Sequence, residues 1–121
     1  MKLYFYILDR NRKFNPETRT FEKVTFTIRA EECYVIEKPK TYKALTNFPN
    51  GIYAESVREE DVGKIFGTIT KCIVLKEPNY QFAKDKFLKE YNAEISRLKK
   101  VIAMYEDMIA AIEDCKEEEK C

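Results

Sequence analysis

Residues 88–112, LKEYNAEISRLKKVIAMYEDMIAAI, constrain this chain more than any other stretch. Leu88, Tyr91, Ile95, Leu98, Ile102, Tyr105, Ile109 and Ile112 follow spacings of 3, 4, 3, 4, 3, 4 and 3. With Leu88 at heptad position a, Ile95, Ile102 and Ile109 are also a, and Tyr91, Leu98, Tyr105 and Ile112 are d. A strict heptad sustained over this length predicts a helix that pairs with another helix. From residue 101 the face widens, because Val101, Met104, Met108, Ala111 and Cys115 add a second stripe at positions g and c. The alternative is a single amphipathic helix lying across its own sheet, but 3.6-residue periodicity drifts off a strict heptad. Asn92, an uncharged amide, stands beside the seam at position e.

Nothing breaks the helical pattern between Glu77-Pro78 and the end of the seam, and Pro78 or Asn79 can open the helix. The expected helix has roughly 35 residues and is about 50 Å long. Upstream the pattern is that of strands. KLYFYIL (2–8) reads as a strand covered on both faces. NRKFNPETRT, with Asn15-Pro16, reads as a hairpin loop. In FEKVTFTIR, Val24, Phe26 and Ile28 alternate with polar residues and predict one buried face. CYVIE (33–37) is a third strand, ended by Lys38-Pro39. Ser56 and Glu59 stand at capping-box spacing before EEDVGKIF and predict a short helical turn. GTITKCIVLK supplies the last strand. The fold class is α+β: an antiparallel β-sheet core over 1–77, then one long C-terminal helix with an acidic tail over 78–121, as a single domain of 121 residues.

Composition narrows the function. The chain carries 45% hydrophobic residues with 8 Tyr and 8 Phe, too apolar for a disordered chain. MKLYFYIL is too short an apolar run for a signal peptide or a membrane span. The four cysteines lack metal-ligand spacing, there is no His, and the thiols read as free in a reducing cytosol. Net charge is +1, with seven basic and three acidic residues over 1–30 against two basic and seven acidic over 101–121. Such a balance does not predict a generic nucleic-acid binder. Without His there is no His-based triad, and glycines at 51, 63 and 67 leave no phosphate-cradling loop. The carboxylates Glu90, Glu94, Glu106 and Asp107 read as a solvated helix face. The reading is that of a protein that is not an enzyme and needs no cofactor or metal.

The start of the helix carries the binding candidates. Phe82, Lys89 and Asn92 lie on one flank, with Lys84 and Lys86 nearby. At 100° per residue, Phe82 and Asn92 come within about 80° around the axis and about 15 Å along it, room for a nucleotide-sized ligand. Phe82 offers a ring on which a base can stack, and Asn92 one acceptor and two donors. Phe82 can equally be a core contact under the sheet, and Asn92 a register-setting residue. Arg58, in ESVREED, is either a solvated charge or a fork for phosphate.

The EKPKTYKAL segment, the ESVREEDVGKIFG segment and the terminal helix with Phe82 and Asn92 together resemble the phage Thoeris anti-defence sponge family, the first type, over essentially the whole length. The resemblance implies a phage protein in the host cytoplasm that sequesters cyclic ADP-ribose isomers, the glycocyclic signals of TIR-domain proteins, without cleaving them. It implies a β-sheet core wrapped on long helices, in homodimers that can build hexamers. By the same resemblance Phe82 stacks on adenine, Asn92 hydrogen-bonds the ligand and Arg58 meets the phosphates. Some relatives capture cyclic oligonucleotides through an arginine lower on the helix. Residues 101–112 here contain no Arg or Lys, so the resemblance does not extend to that activity. Two other readings stay open: a helix-mediated regulator that blocks another protein through the aromatic sheet, and a weak nucleic-acid binder using the basic N-terminal third.

Overall fold

The computed structural model describes residues 1–21 and 24–117. Eight strands precede one helix: β1 Lys2–Asn11, β2 Phe14–Asn15, β3 Thr20–Phe21, β4 Thr25–Lys38, β5 Thr41–Ala44, β6 Ser56–Arg58, β7 Ile65–Phe66, β8 Cys72–Leu75 and α1 Tyr80–Asp114. Six strands form one antiparallel sheet, curled as a half-barrel, in the order β6-β5-β4-β1-β8-β7. The chain divides into two compact units, Met1–Phe87 and Leu88–Cys121, the division falling two turns inside α1.

β1 is the central strand because both of its faces are apolar. It pairs with β4 from Lys2↔Tyr34 to Asn11↔Thr25 and with β8 from Tyr4↔Leu75 to Ile7↔Cys72. Leu3, Phe5 and Ile7 point to one face and are fully buried with Cys33, Val35, Tyr42, Val57, Cys72 and Val74. Phe48 closes over Phe5 at 5.4 Å between ring centroids. Tyr6 points to the other face, where Ile73, Ala83 and Phe87 are buried with it. The first two turns of α1 therefore belong to the core of the first unit.

Asn79 sets where the helix begins. Its Oδ1 accepts the Phe82 N–H at 3.0 Å, an N-cap bond to the third helical residue. Its own N–H donates to the Tyr6 hydroxyl at 2.8 Å, tying the cap to the central strand. Pro78 directly before it has no N–H to lose. The length of 35 residues matches the sequence expectation.

Several local expectations change. The second and third strand candidates are one strand, β4, 14 residues long, because β1 offers ten consecutive partners. The Val24, Phe26 and Ile28 face is only partly buried: Ile28 packs against the Tyr6 and Ile73 cluster, Val24 is half-buried, and Phe26 is not covered. Phe26 is 59% exposed, since there β4 reaches past β8 and past the residues that cover the core. The Asn15-Pro16 hairpin loop forms, closed by the two-residue β2–β3 ladder, with the Glu17 N–H on Asn15 Oδ1 at 3.0 Å. A helical turn follows β6, but as a 3-10 turn, Glu59–Asp61, without a capping box. Ser56 is held in β6 opposite Lys43, and Arg58 occupies the cap position. The last strand is confined to Cys72–Leu75. The preceding 67–70 segment is a turn in which Gly67 has φ 111 and a Cβ would lie 2.0 Å from the Thr70 carbonyl oxygen. Of the acidic tail, residues 118–121 lie outside the described residues, as do Glu22 and Lys23.

Replacing Asn79 by Ala removes the helix cap and leaves the Phe82 N–H without its acceptor. Urea unfolding of Asn79→Ala should show a loss of about 1 kcal/mol. Phe5→Ala, which empties the centre of the larger core, should cost about 3–5 kcal/mol in the same measurement.

Candidate functional site

The residues named from the sequence fall in two units. Phe82 and Arg58 belong to the first, Lys89 and Asn92 to the second. Phe82 is not the buried core contact that one reading of the sequence allowed. Its neighbours Ala83 and Phe87 take the core positions, and the Phe82 ring is 44% exposed on a backbone held by the Asn79 cap. An aromatic face fixed at its root and open to solvent suits stacking, since little of its freedom remains to be lost on binding. Lys89 and Asn92 are three residues apart on α1, hence on one helix face, and both are exposed. The Asn92 carbonyl accepts the Ser96 hydroxyl at 3.2 Å, while its side-chain amide makes no hydrogen bond among the described residues.

The seam that begins at Leu88 is uncovered. Leu88, Tyr91, Ile95, Leu98, Ile102, Tyr105, Ile109 and Ile112 are each between 40% and 66% exposed. Met104 and Met108 of the widening stripe are about half exposed as well. The opposite flank is polar, with Arg97 in a helical ion pair with Glu94. The exposed apolar side chains thus form one continuous stripe along a helix whose other flank is polar.

Arg58 stands in a charged corner of the sheet. Its guanidinium meets Glu60 at 3.0 Å and Asp61 at 3.0 Å, and Asp61 foremost raises its pKa. Arg58 and Thr41 are directly opposed in the β5–β6 ladder. Lys40, Thr41, Arg58, Glu59 and Glu60 line a concavity of about 430 Å³. Behind it, the Glu59 carboxylate accepts both the Tyr42 hydroxyl and the Lys76 ammonium, and the Lys76 ammonium lies 5.7 Å from the centre of the Tyr42 ring. Sequence reasoning found Arg58 but missed Lys40, Thr41, Glu59 and Lys76. Only the Pro39-Lys40 turn, which closes β4 on β5, hinted that these residues meet.

A second concavity, about 660 Å³, lies within the 43–55 loop beside Phe48 and Tyr53. Arg29 anchors this loop by donating to the Asn50 carbonyl at 2.7 Å, while its guanidinium also holds Asp9 at 2.7 Å and Glu31 at 2.6 Å. The Cys33 thiol donates to the Asn47 carbonyl at 3.5 Å, and burial raises its pKa. Burial pushes the Cys72 thiol up to about 12, so neither is a thiolate near neutrality. Cys33, Cys72 and Cys115 are free thiols; Cys121 lies outside the described residues. Among the described residues, no group of three or more His, Cys, Asp or Glu is placed to hold a metal ion, and no helix is long and apolar enough to cross a membrane. Compared with protein-family models, with curated proteins and with solved structures, the chain matches none of them.

The Lys76–Glu59 pair makes a pH prediction. Lys76 foremost, then Tyr42, lowers the Glu59 pKa, and Glu59 raises that of Lys76. A depressed carboxylate stabilises the fold above its unfolded pKa, about 4.3, and loses that contribution as the pH falls through its folded value. A raised lysine does so below its unfolded pKa, about 10.4, and loses it as the pH rises through its folded value. Lys76→Met should therefore be less stable than the parent between about pH 5 and 10. Chemical denaturation across that range should show the gap closing on acidification below about pH 4.

Proposed function

We propose that the chain is a phage-encoded sponge. It binds and sequesters glycocyclic ADP-ribose signals made by TIR-domain proteins, leaves them uncleaved, and so inhibits Thoeris antiviral defence in the host cytoplasm. The observation that carries this reading is the exposed Phe82 ring, held by the Asn79 cap at the start of a helix whose seam is itself uncovered. The seam pairs with a second copy to make a homodimer, and dimers assemble further into a hexamer. Phe82 stacks on the adenine, Asn92 hydrogen-bonds the ligand's polar edge, and Lys89 and Arg58 meet its phosphates.

The chemistry fits sequestration. Holding a signal at nanomolar concentration takes about −12 kcal/mol. A stacked base contributes about 1–3 kcal/mol, and charge-assisted hydrogen bonds about 1.5–3 kcal/mol each. A handful of such contacts in a groove that a partner helix closes reaches the required range. Among the described residues the Asn92 amide and the Lys89 ammonium make no hydrogen bond or ion pair, so they offer donors to a ligand.

Calorimetry with a glycocyclic ADP-ribose tests the ligand. Phe82→Ala and Asn92→Ala should each weaken binding by about tenfold to a hundredfold. Both lie off the a and d positions, so the oligomer mass should not change. Lys116→Ala serves as the unaffected control. Ligand recovered after heating the complex should be intact, and linear ADP-ribose in its place would return the chain to the enzymes. Leu98→Glu with Ile102→Glu should give monomers or aggregates by light scattering, because buried charges in the seam cost several kcal/mol.

One observation favours a second reading, inhibition of a host protein by direct contact. Phe26 and Tyr34 lie on one face of β4 and are 59% and 58% exposed. If the purified protein releases no nucleotide on denaturation but retains a host protein tightly, with Phe26→Ser abolishing that retention, the second reading replaces the first.

A further inference from the structure

Lys40 is held in an unfavourable backbone conformation that has no structural need for lysine. β4 and β5 are joined by a two-residue turn, Pro39-Lys40, closed by the Lys38↔Thr41 pair. Proline is at home in the first of these places, but Lys40 has φ 66. At that second place glycine or asparagine is the usual solution, since their left-handed backbone costs little. The turn is held by the Lys40 carbonyl, which accepts the Glu59 N–H at 2.9 Å. That bond involves no lysine side chain. Among the described residues the Lys40 ammonium has no hydrogen bond or ion pair. Strain kept at a residue whose side chain does nothing for the fold points to a task for that side chain.

The surroundings say what the task is. Lys40 lines the 430 Å³ concavity with Thr41 and Arg58, which are cross-strand partners on one face of the ladder. This gives two cations and a hydroxyl converging from adjoining positions. The two carboxylates on the same wall are already engaged: Glu59 by Tyr42 and Lys76, Glu60 by Arg58. The Arg58–Glu60 pair is about two-thirds exposed on each side, and such pairs contribute little and exchange readily. An incoming phosphate can take the place of Glu60 at the Arg58 Nη1 edge, while Asp61 stays on Nε at 3.0 Å and holds the guanidinium in place. Glu60, once released, is an acceptor beside the phosphate, suited to sugar hydroxyls.

We propose that Lys40, Thr41 and Arg58 form a subsite for a sugar phosphate or diphosphate, with Glu60 accepting hydroxyls of the attached sugar. Lys40 and Arg58 bind the anionic oxygens, and Thr41 donates its hydroxyl to one of them. The inference shares Arg58 with the sponge reading and rests on it only for the identity of the natural ligand. It adds Lys40 as a residue that sets affinity for the phosphate end.

The test uses the full chain with two probes, inorganic pyrophosphate followed by NMR and a glycocyclic ADP-ribose followed by calorimetry. Lys40→Asn keeps the left-handed turn and removes the charge. Its thermal midpoint should equal or exceed that of the parent, while its affinity for both probes falls about tenfold. Lys64→Asn, the same charge change elsewhere, should leave both affinities unaltered. Equal binding of pyrophosphate by parent and Lys40→Asn, or none by the parent, overturns the subsite. So does a lowered midpoint in Lys40→Asn, which would make the lysine structural. If the cyclic ligand binds parent and variant equally, the subsite falls and the sponge reading stands. If pyrophosphate binding depends on Lys40 but the parent takes up no cyclic ligand, the sponge reading falls and the subsite stands.

Discussion

One strand with two apolar faces holds the first unit together. Leu3, Phe5 and Ile7 enter one core, and Tyr6 enters the other, so that β1 is the wall between them. Each fully buried side chain of this size stabilises the fold by about 1.5–3 kcal/mol. A residue shift in register would carry all of them to the wrong face at once. The ten-residue ladder with β4 makes such a shift costly. Tyr6 adds a polar link, since its hydroxyl accepts the Asn79 N–H just where the helix must begin. Position and direction of the first helical turn follow from the central strand. The exposure of Phe82 follows in turn, because Ala83 and Phe87 have taken the inward places.

The rest of the helix obeys a different constraint. Beyond Phe87 no residue of α1 is buried, yet its apolar side chains keep heptad spacing to Ile112. Exposed leucine and isoleucine in a continuous stripe lower solubility. Propensity alone gives an isolated helix marginal stability, so most of the stability of a helix comes from packing. A helix of 35 residues with this stripe therefore gains most when another apolar surface covers it. A second copy of the same helix is the simplest surface with the matching period.

What could be read from the sequence divides along the same physical line. Periodicity is local, so the helix, its length and its opening at Pro78 or Asn79 were legible, and so was the doubly buried first strand. The joining of 25–38 into one strand was not, because it depends on β1 supplying partners in pairs that run from Asn11↔Thr25 to Lys2↔Tyr34, far apart in sequence. Ser56 and Glu59 fit a capping box by spacing, but pairing of Ser56 with Lys43 in the ladder overrides it. Phe26 alternates correctly and still lies in solvent, since alternation identifies a face and does not supply its cover. Among the candidate site residues, Phe82 was ambiguous between core and surface, and only the packing of its neighbours decides the matter. The meeting of Lys40 and Thr41 with Arg58 was hardly legible, because beyond the Pro39-Lys40 turn it depends on a strand pairing, Thr41↔Arg58, that no local pattern encodes.

The charged corner around Arg58 joins exposed charges to a buried base at the edge of the sheet. Its Arg58–Glu60 pair is exposed on both sides, so breaking it would forfeit little, while the Arg58–Asp61 pair is half-sheltered. The Tyr42 ring beneath them is buried, and its hydroxyl fixes Glu59 in place. The corner thus combines an anchored base with exchangeable charges at its rim. On the proposed reading, such a division would let a ligand replace weak surface contacts without disturbing the packing below. It also separates affinity from folding. Residues whose charges turn outward, Lys40 and Arg58, can set how strongly an anion is held. Tyr42 and Val57, turned inward on the same strands, carry the stability.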